Sequence, residues 1–135
     1  MQYLVGSLLL LVSYGAFAVG TDNGKLVGTW TWTRAANHCT ETLTFRDDGT
    51  LSTTSGEEKT DNQYTLTPPS LAGSRYMLTI HVIKDHGGKD CVDSTVDNTG
   101  STDVVYIEFL SKTQMKMCYR STDGNCFGPL HKIGE

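Results

Sequence analysis

Four cysteines, four histidines and a run of aspartates are the residues of this chain with the widest chemistry. Cys39, Cys91, Cys118 and Cys126 lack the paired CxxC-type spacing of a zinc site, and an even number in an exported chain reads as two disulfides. His38, His81, His86 and His131 offer no HxH or HxxxH spacing, so no metal site is expected. Asp85, Asp90, Asp93, Asp97 and Asp103 fit no calcium-loop spacing and read as a solvated acidic loop. Catalysis finds little to use. There is no GxSxG elbow to present a serine, and disulfides consume the thiols. Glu41 is the one acid that strand alternation turns inward, so paired inward carboxylates are not expected either. The chain reads as a binding protein with no catalytic residues and no cofactor.

The elements that position these residues begin after a leader. The first twenty residues, MQYLVGSLLLLVSYGAFAVG, carry no charged side chain. The apolar stretch from Leu4 to Val12 is too short to span a bilayer. It runs into Ala16-Phe17-Ala18, the small-x-small pattern read by signal peptidase. Residues 1–18 are therefore read as a secretory signal peptide cut after Ala18, with Gly20 as the second choice. Residues 19–135 form a single domain, and no later apolar run is long enough to span a membrane. The expected location is extracellular, or periplasmic if the source is bacterial, and a monomer is expected. The formal net charge of −4 lies wholly beyond the leader. That mild acidity argues against nucleic acid and against docking on anionic lipid.

Beyond the leader, period-2 alternation dominates and no segment shows a 3.6-residue apolar stripe. Eight strands are predicted, at about 28–34, 40–46, 50–55, 62–67, 75–83, 103–109, 114–120 and 127–132. In GTWTWTR, Trp30, Trp32 and Arg34 share one face, and in ETLTF so do Glu41, Leu43 and Phe45. A hairpin pairing Trp30 with Phe45, Trp32 with Leu43 and Arg34 with Glu41 sets each side chain opposite a natural partner. Asp47-Asp48-Gly49 then supplies a tight turn that brings Leu51 opposite Phe45. Tyr76, Leu78, Ile80 and Val82 continue the apolar face, followed by Val105, Ile107 and Phe109, and by Met115, Met117 and Tyr119. One apolar face per strand and a threonine-rich reverse describe a sheet closed on itself. The expected fold is all-β, an eight-stranded up-and-down antiparallel barrel with two disulfides.

Up-and-down order gathers all four cysteines at one open end, with the long connection 84–102. Cys118 and Cys126 flank the 121–124 turn, so Cys118–Cys126 with Cys39–Cys91 is the favoured pairing. Cys39–Cys126 with Cys91–Cys118 also suits the rim and stays open. Gly28-Thr29-Trp30, on the first strand soon after the leader, resembles the GxW signature of lipocalins and their calycin relatives. That resemblance implies a lipocalin-like barrel in which Trp30 packs over the closed base and the interior takes a small hydrophobic molecule. The residues assigned to a ligand are Trp32, Arg34, Glu41 and Tyr119, near the mouth. Another secreted protein, gripped by the open-end loops, is the alternative partner. If the leader reading is right, amino-terminal sequencing of exported protein starts at Val19 or, for the second choice, Thr21; a start at Met1 overturns it.

Overall fold

Alternating threonine with bulky residues, Gly28–Thr33 forms strand β1 with Trp30 and Trp32 on one face. The computed structural model describes residues 23–134, so the leader and its cleavage site lie outside the described residues. Seven further strands follow: β2 (Thr40–Phe45), β3 (Thr50–Ser55), β4 (Glu58–Thr67), β5 (Tyr76–Asp85), β6 (Thr102–Ser111), β7 (Gln114–Cys118) and β8 (Cys126–Ile133). Each pairs antiparallel with its neighbours in chain order, and β8 returns to β1, giving a closed barrel. The predicted fold class is therefore what the chain adopts. A one-turn helix, α1 (Asn23–Leu26), precedes the barrel and was not foreseen, because one turn is too short to show a helical period.

The first hairpin has the predicted faces but a different register. Trp30 lies opposite Leu43, Trp32 opposite Glu41, and Gly28 opposite Phe45. The expected pairing was two residues out of step. The cause is the connection 34–39, where the Arg34 N–H donates to the Cys39 carbonyl at 2.9 Å and His38 takes a φ of 57°. Arg34 thus belongs to the turn and not to the ladder. Gly28 suits the slot beside Phe45 because its φ of 135° would strain any residue with a Cβ, which would also press on the Lys132 side chain at 2.7 Å. Threonines line the outer face of the hairpin, with Thr29–Thr44 and Thr33–Thr40 hydroxyls hydrogen-bonded at 3.1 and 3.0 Å. Phe45 meets Leu51 as expected.

One end is sealed. Trp30 is fully buried and its indole N–H donates to the Leu26 carbonyl at 2.8 Å, which fixes α1 as a plug with Leu26 inside. Phe45 packs edge-on against Tyr64, whose hydroxyl donates to the Arg46 carbonyl at 2.6 Å. Leu51, Leu66, Leu78, Ile107, Met115 and Leu130 complete the floor. Lys132 lies over the Trp30 ring, 5.4 Å from its centroid.

The disulfides are Cys39–Cys91 and Cys118–Cys126, the favoured pairing. They span 52 and 8 residues, so in the chain-entropy treatment they contribute about 4 and about 2.5 kcal/mol. Denaturant titrations of C39A/C91A and C118A/C126A should show the first pair costing more. Equal or reversed losses would mean that the long loop is already ordered in the unfolded chain.

Candidate functional site at the open end

The open end carries the connections 34–39, 56–57, 86–101 and 119–125, and the first three are laced together. Besides the Cys39–Cys91 bridge, the Asn37 amide donates to the Cys91 carbonyl at 2.7 Å and the Glu57 N–H to that of Lys89 at 2.8 Å. The 119–125 hairpin is held differently. The Arg75 guanidinium donates to the carbonyls of Arg120 and Asp123 at 3.1 and 2.7 Å, while its Nε reaches Glu108 at 3.3 Å. Three loops are thus tied together at the mouth around a covalent bridge, whereas 119–125 folds back onto the largely buried Arg75 of the 68–75 connection, which joins β4 to β5 at the other end.

Within this frame the ligand residues named from sequence fall into two groups. Trp32 and Glu41 are direct cross-strand neighbours, and Arg34 reaches both. Its guanidinium stands 3.8 Å from Glu41 and 5.4 Å from the Trp32 ring centroid. Ser55, opposite Glu41 on β3, donates to the same carboxylate at 3.2 Å. The Arg34–Glu41 pair thus survives the register change, because the turn returns the arginine over the carboxylate. Tyr119 does not join the inward face. The β7 ladder ends at Cys118, which leaves Tyr119 outside at 64 % exposure, its ring 5.7 Å from that of Phe127. Phe127 is the residue that sequence reasoning missed. It packs inward at 4.9 Å from Trp32, because a bulge opposite Met115–Met117 resets the alternation of β8. Gly128-Pro129 within a strand was the signal for that bulge.

Six inward side chains pack on the edge of the core and stay partly exposed: Trp32, Ile80, Val105 and Phe127 towards the mouth, Tyr76 and Phe109 towards the base. The β1–β8 ladder runs only from Thr29 to Thr31. Above it, on the outer face to which Thr31 and Thr33 belong, lies a shallow recess of about 300 Å³ lined by Thr31, Trp32, Thr33, Gly128, Pro129 and His131. Trp32 is therefore reachable beside the seam.

Glu41 is not the only acid turned inward. In β4 the alternation holds from Glu58 onward, with Glu58, Thr60, Asn62, Tyr64 and Leu66 all buried. Its first three inward positions are polar, so an apolar pattern could not reveal the strand start. A bulge at Asp61/Asn62 then inserts one residue in β5, which turns Asp85 inward opposite Thr60. Glu58 and Asp85 are 8 % and 5 % exposed. The N–H groups of Asn98 and Gly87 donate to Asp85 at 3.0 and 2.9 Å and hold it below the usual carboxylate range. Burial, and then the hydrogen bond and charge of Asp85, push Glu58 up to about 7, with Asp90 adding to the repulsion. One proton on Glu58 therefore lets both acids stay buried, and Asp85 clasps the two ends of the 86–101 loop. Among the described residues no group of three His, Cys, Asp or Glu is placed to hold a metal ion.

Comparison with known proteins adds no name to this geometry: no family model, no curated protein and no solved structure matches the chain. What stands is the class, an eight-stranded antiparallel closed barrel with two disulfides, compatible with a lipocalin-like fold. Among the described residues no helix is long and apolar enough to cross a membrane.

The buried acid pair sets a pH dependence. Glu58 has a folded pKa raised from 4.5 to about 7, so the folded state holds the proton more tightly. Its contribution is full below about pH 4.5 and is lost as pH rises through 7, on the order of 2 kcal/mol. Denaturation midpoints measured from pH 4.5 to 8 should fall for the native chain. For Glu58→Gln, whose amide donates to Asp85 at every pH, they should be nearly flat. A native chain whose stability rises across that range would refute the shared proton.

Proposed function

We propose that this chain is a secreted, non-enzymatic binding protein that holds a small, partly hydrophobic ligand at the disulfide-tied mouth. One observation carries the reading: inward-facing Trp32 and Phe127 stay partly exposed beside the Arg34–Glu41 pair, above a floor centred on the fully buried Leu26 and Trp30. A closed base with an accessible aromatic pair at the top is the layout of a ligand cup. Eight strands leave an interior wide enough for side chains or one small ligand. Here Trp30, Phe45, Tyr64, Met115 and Met117 occupy the lower part, so the ligand sits high and is small. The lipocalin-like resemblance of Gly28-Thr29-Trp30 agrees in kind.

A second reading has its own observation. Val92 and Val96 are 61 % and 64 % exposed on the 86–101 loop, which Cys91 tethers. Apolar side chains on a rigid loop suit a secreted protein partner, because little order is lost on binding.

Native mass spectrometry of protein purified from its own source separates the two. A small-molecule adduct that disappears in Trp32→Ala supports the cup. An adduct of protein mass, lost in V92S/V96S and kept in Trp32→Ala, moves the function to the loop.

A further inference from the structure

The mouth holds a carboxylate that the structure fixes and an arginine that it does not. Ser55 Oγ accepts the Cys91 N–H at 3.0 Å, which commits its own hydroxyl proton to Glu41 at 3.2 Å. Glu41 is thereby oriented by a neighbouring strand and by the disulfide-tethered loop together. The Arg34 side chain, by contrast, leaves a turn and stays 32 % exposed. Its guanidinium occupies the space between Glu41 and the Trp32 face, at 3.8 Å from one and 5.4 Å from the other. That is the sandwich in which aromatic sites hold cations. The aromatic surface continues from Trp32 through Phe127 to Tyr119. Asp103, opposite Ile80 on the same face of the sheet, adds a second, exposed acid to the rim.

We infer that the group this mouth takes is a cation, an ammonium or guanidinium on an apolar body, which displaces Arg34 from Glu41 and Trp32. The inference rests on the mouth being the binding site. Arg34 acts as an internal occupant: it keeps a part-exposed carboxylate paired in the empty protein and yields to a better-fitting cation. Part-exposed ion pairs of this kind are weak, so exchange costs little. An anionic head group would instead have to draw Arg34 away while lying against Glu41, a like-charge contact. Two sources supply the chemistry, a free amphiphilic amine and an arginine or lysine side chain of a peptide.

The test follows Trp32 fluorescence, with Trp32→Phe as the blank because Trp30 is sealed in the base. Octylamine, octanol and octanoate, all below micelle-forming concentration, share one tail and differ in head group. A capped Ala-Arg-Ala tripeptide represents the peptide source. Octylamine or the tripeptide should bind at least tenfold more tightly than octanol, with octanoate weakest. Glu41→Gln should remove that tenfold preference, about 1.4 kcal/mol, and leave octanol unchanged. Arg34→Ala should tighten the cation several-fold, which loss of a merely structural arginine would not do. Which of the two cations wins assigns the source. Octanoate binding best, and lost in Arg34→Ala, overturns the inference in favour of an anion held by Arg34. Equal binding of octanol and octylamine also overturns it, yet leaves the mouth as an apolar site. If none of the four probes reaches Trp32, the inference and the reading beneath it fail together. Both exchanged side chains are partly exposed, and matching thermal unfolding of the variants verifies that the fold is kept.

Discussion

The seam between β1 and β8 is the constraint on which the barrel depends. It consists of Thr29 against Ile133, Trp30 against Lys132 and Thr31 against His131. A sheet of this size left open would expose two unpaired edges. Closure also puts Trp30 in the floor, where its indole N–H is satisfied by Leu26 and its face by Lys132. Above Thr31 the two strands part, and that parting exposes the flank of Trp32. The same junction thus seals one end and opens the other, and Trp30 and Trp32, two positions apart on one strand, end in opposite environments.

Much of this was legible in the residues. Alternation located every strand of the barrel, because the inward positions of β1, β2, β5, β6 and β7 are mostly apolar. The turn at Asp47-Asp48-Gly49 and the spacing of the cysteines did the rest. Two of the losses share one physical origin, a change of parity that a period-2 pattern cannot carry. The β5 bulge reverses Asp85 from outside to inside, and the β8 bulge does the same for Phe127 relative to Leu130. The buried acid pair and the aromatic partner of Trp32 were both hidden in this way. Tyr119 errs in the opposite sense, since alternation carried past the end of β7 turned it inward. The first-hairpin register was hidden for a different reason. Two registers of equal parity both give plausible cross-strand partners, and the 34–39 turn decides between them.

Glu58, Thr60 and Asn62 show that the interior is not uniformly apolar. Asn62 donates to the Leu51 carbonyl at 3.0 Å and to the Thr60 hydroxyl at 2.9 Å, and Thr60 pairs with the Thr53 hydroxyl. Buried polar groups cost little when they satisfy one another in this manner. The strip runs up β3 and β4 towards Ser55 and Glu41, opposite in kind to the aromatic strip of β1 and β8. The cup accordingly has a wet wall and a greasy wall.

Closure has a further geometric result. Because β1 leads away from the base and β8 returns to it, Thr29 and Ile133 are ladder partners, so the two ends of the barrel chain leave side by side from the sealed pole. A tag, a fluorophore or a surface linkage joined beyond either end hangs from the face opposite the mouth. Molecules immobilised through a linker joined directly before Asn23 or after Gly134 would stand with Trp32, Arg34 and Glu41 facing the flow. A short peptide bridging the two ends would also let the backbone be cut elsewhere, for instance between Pro69 and Ser70, ahead of the Arg75 anchor, giving a permuted barrel with the same rim.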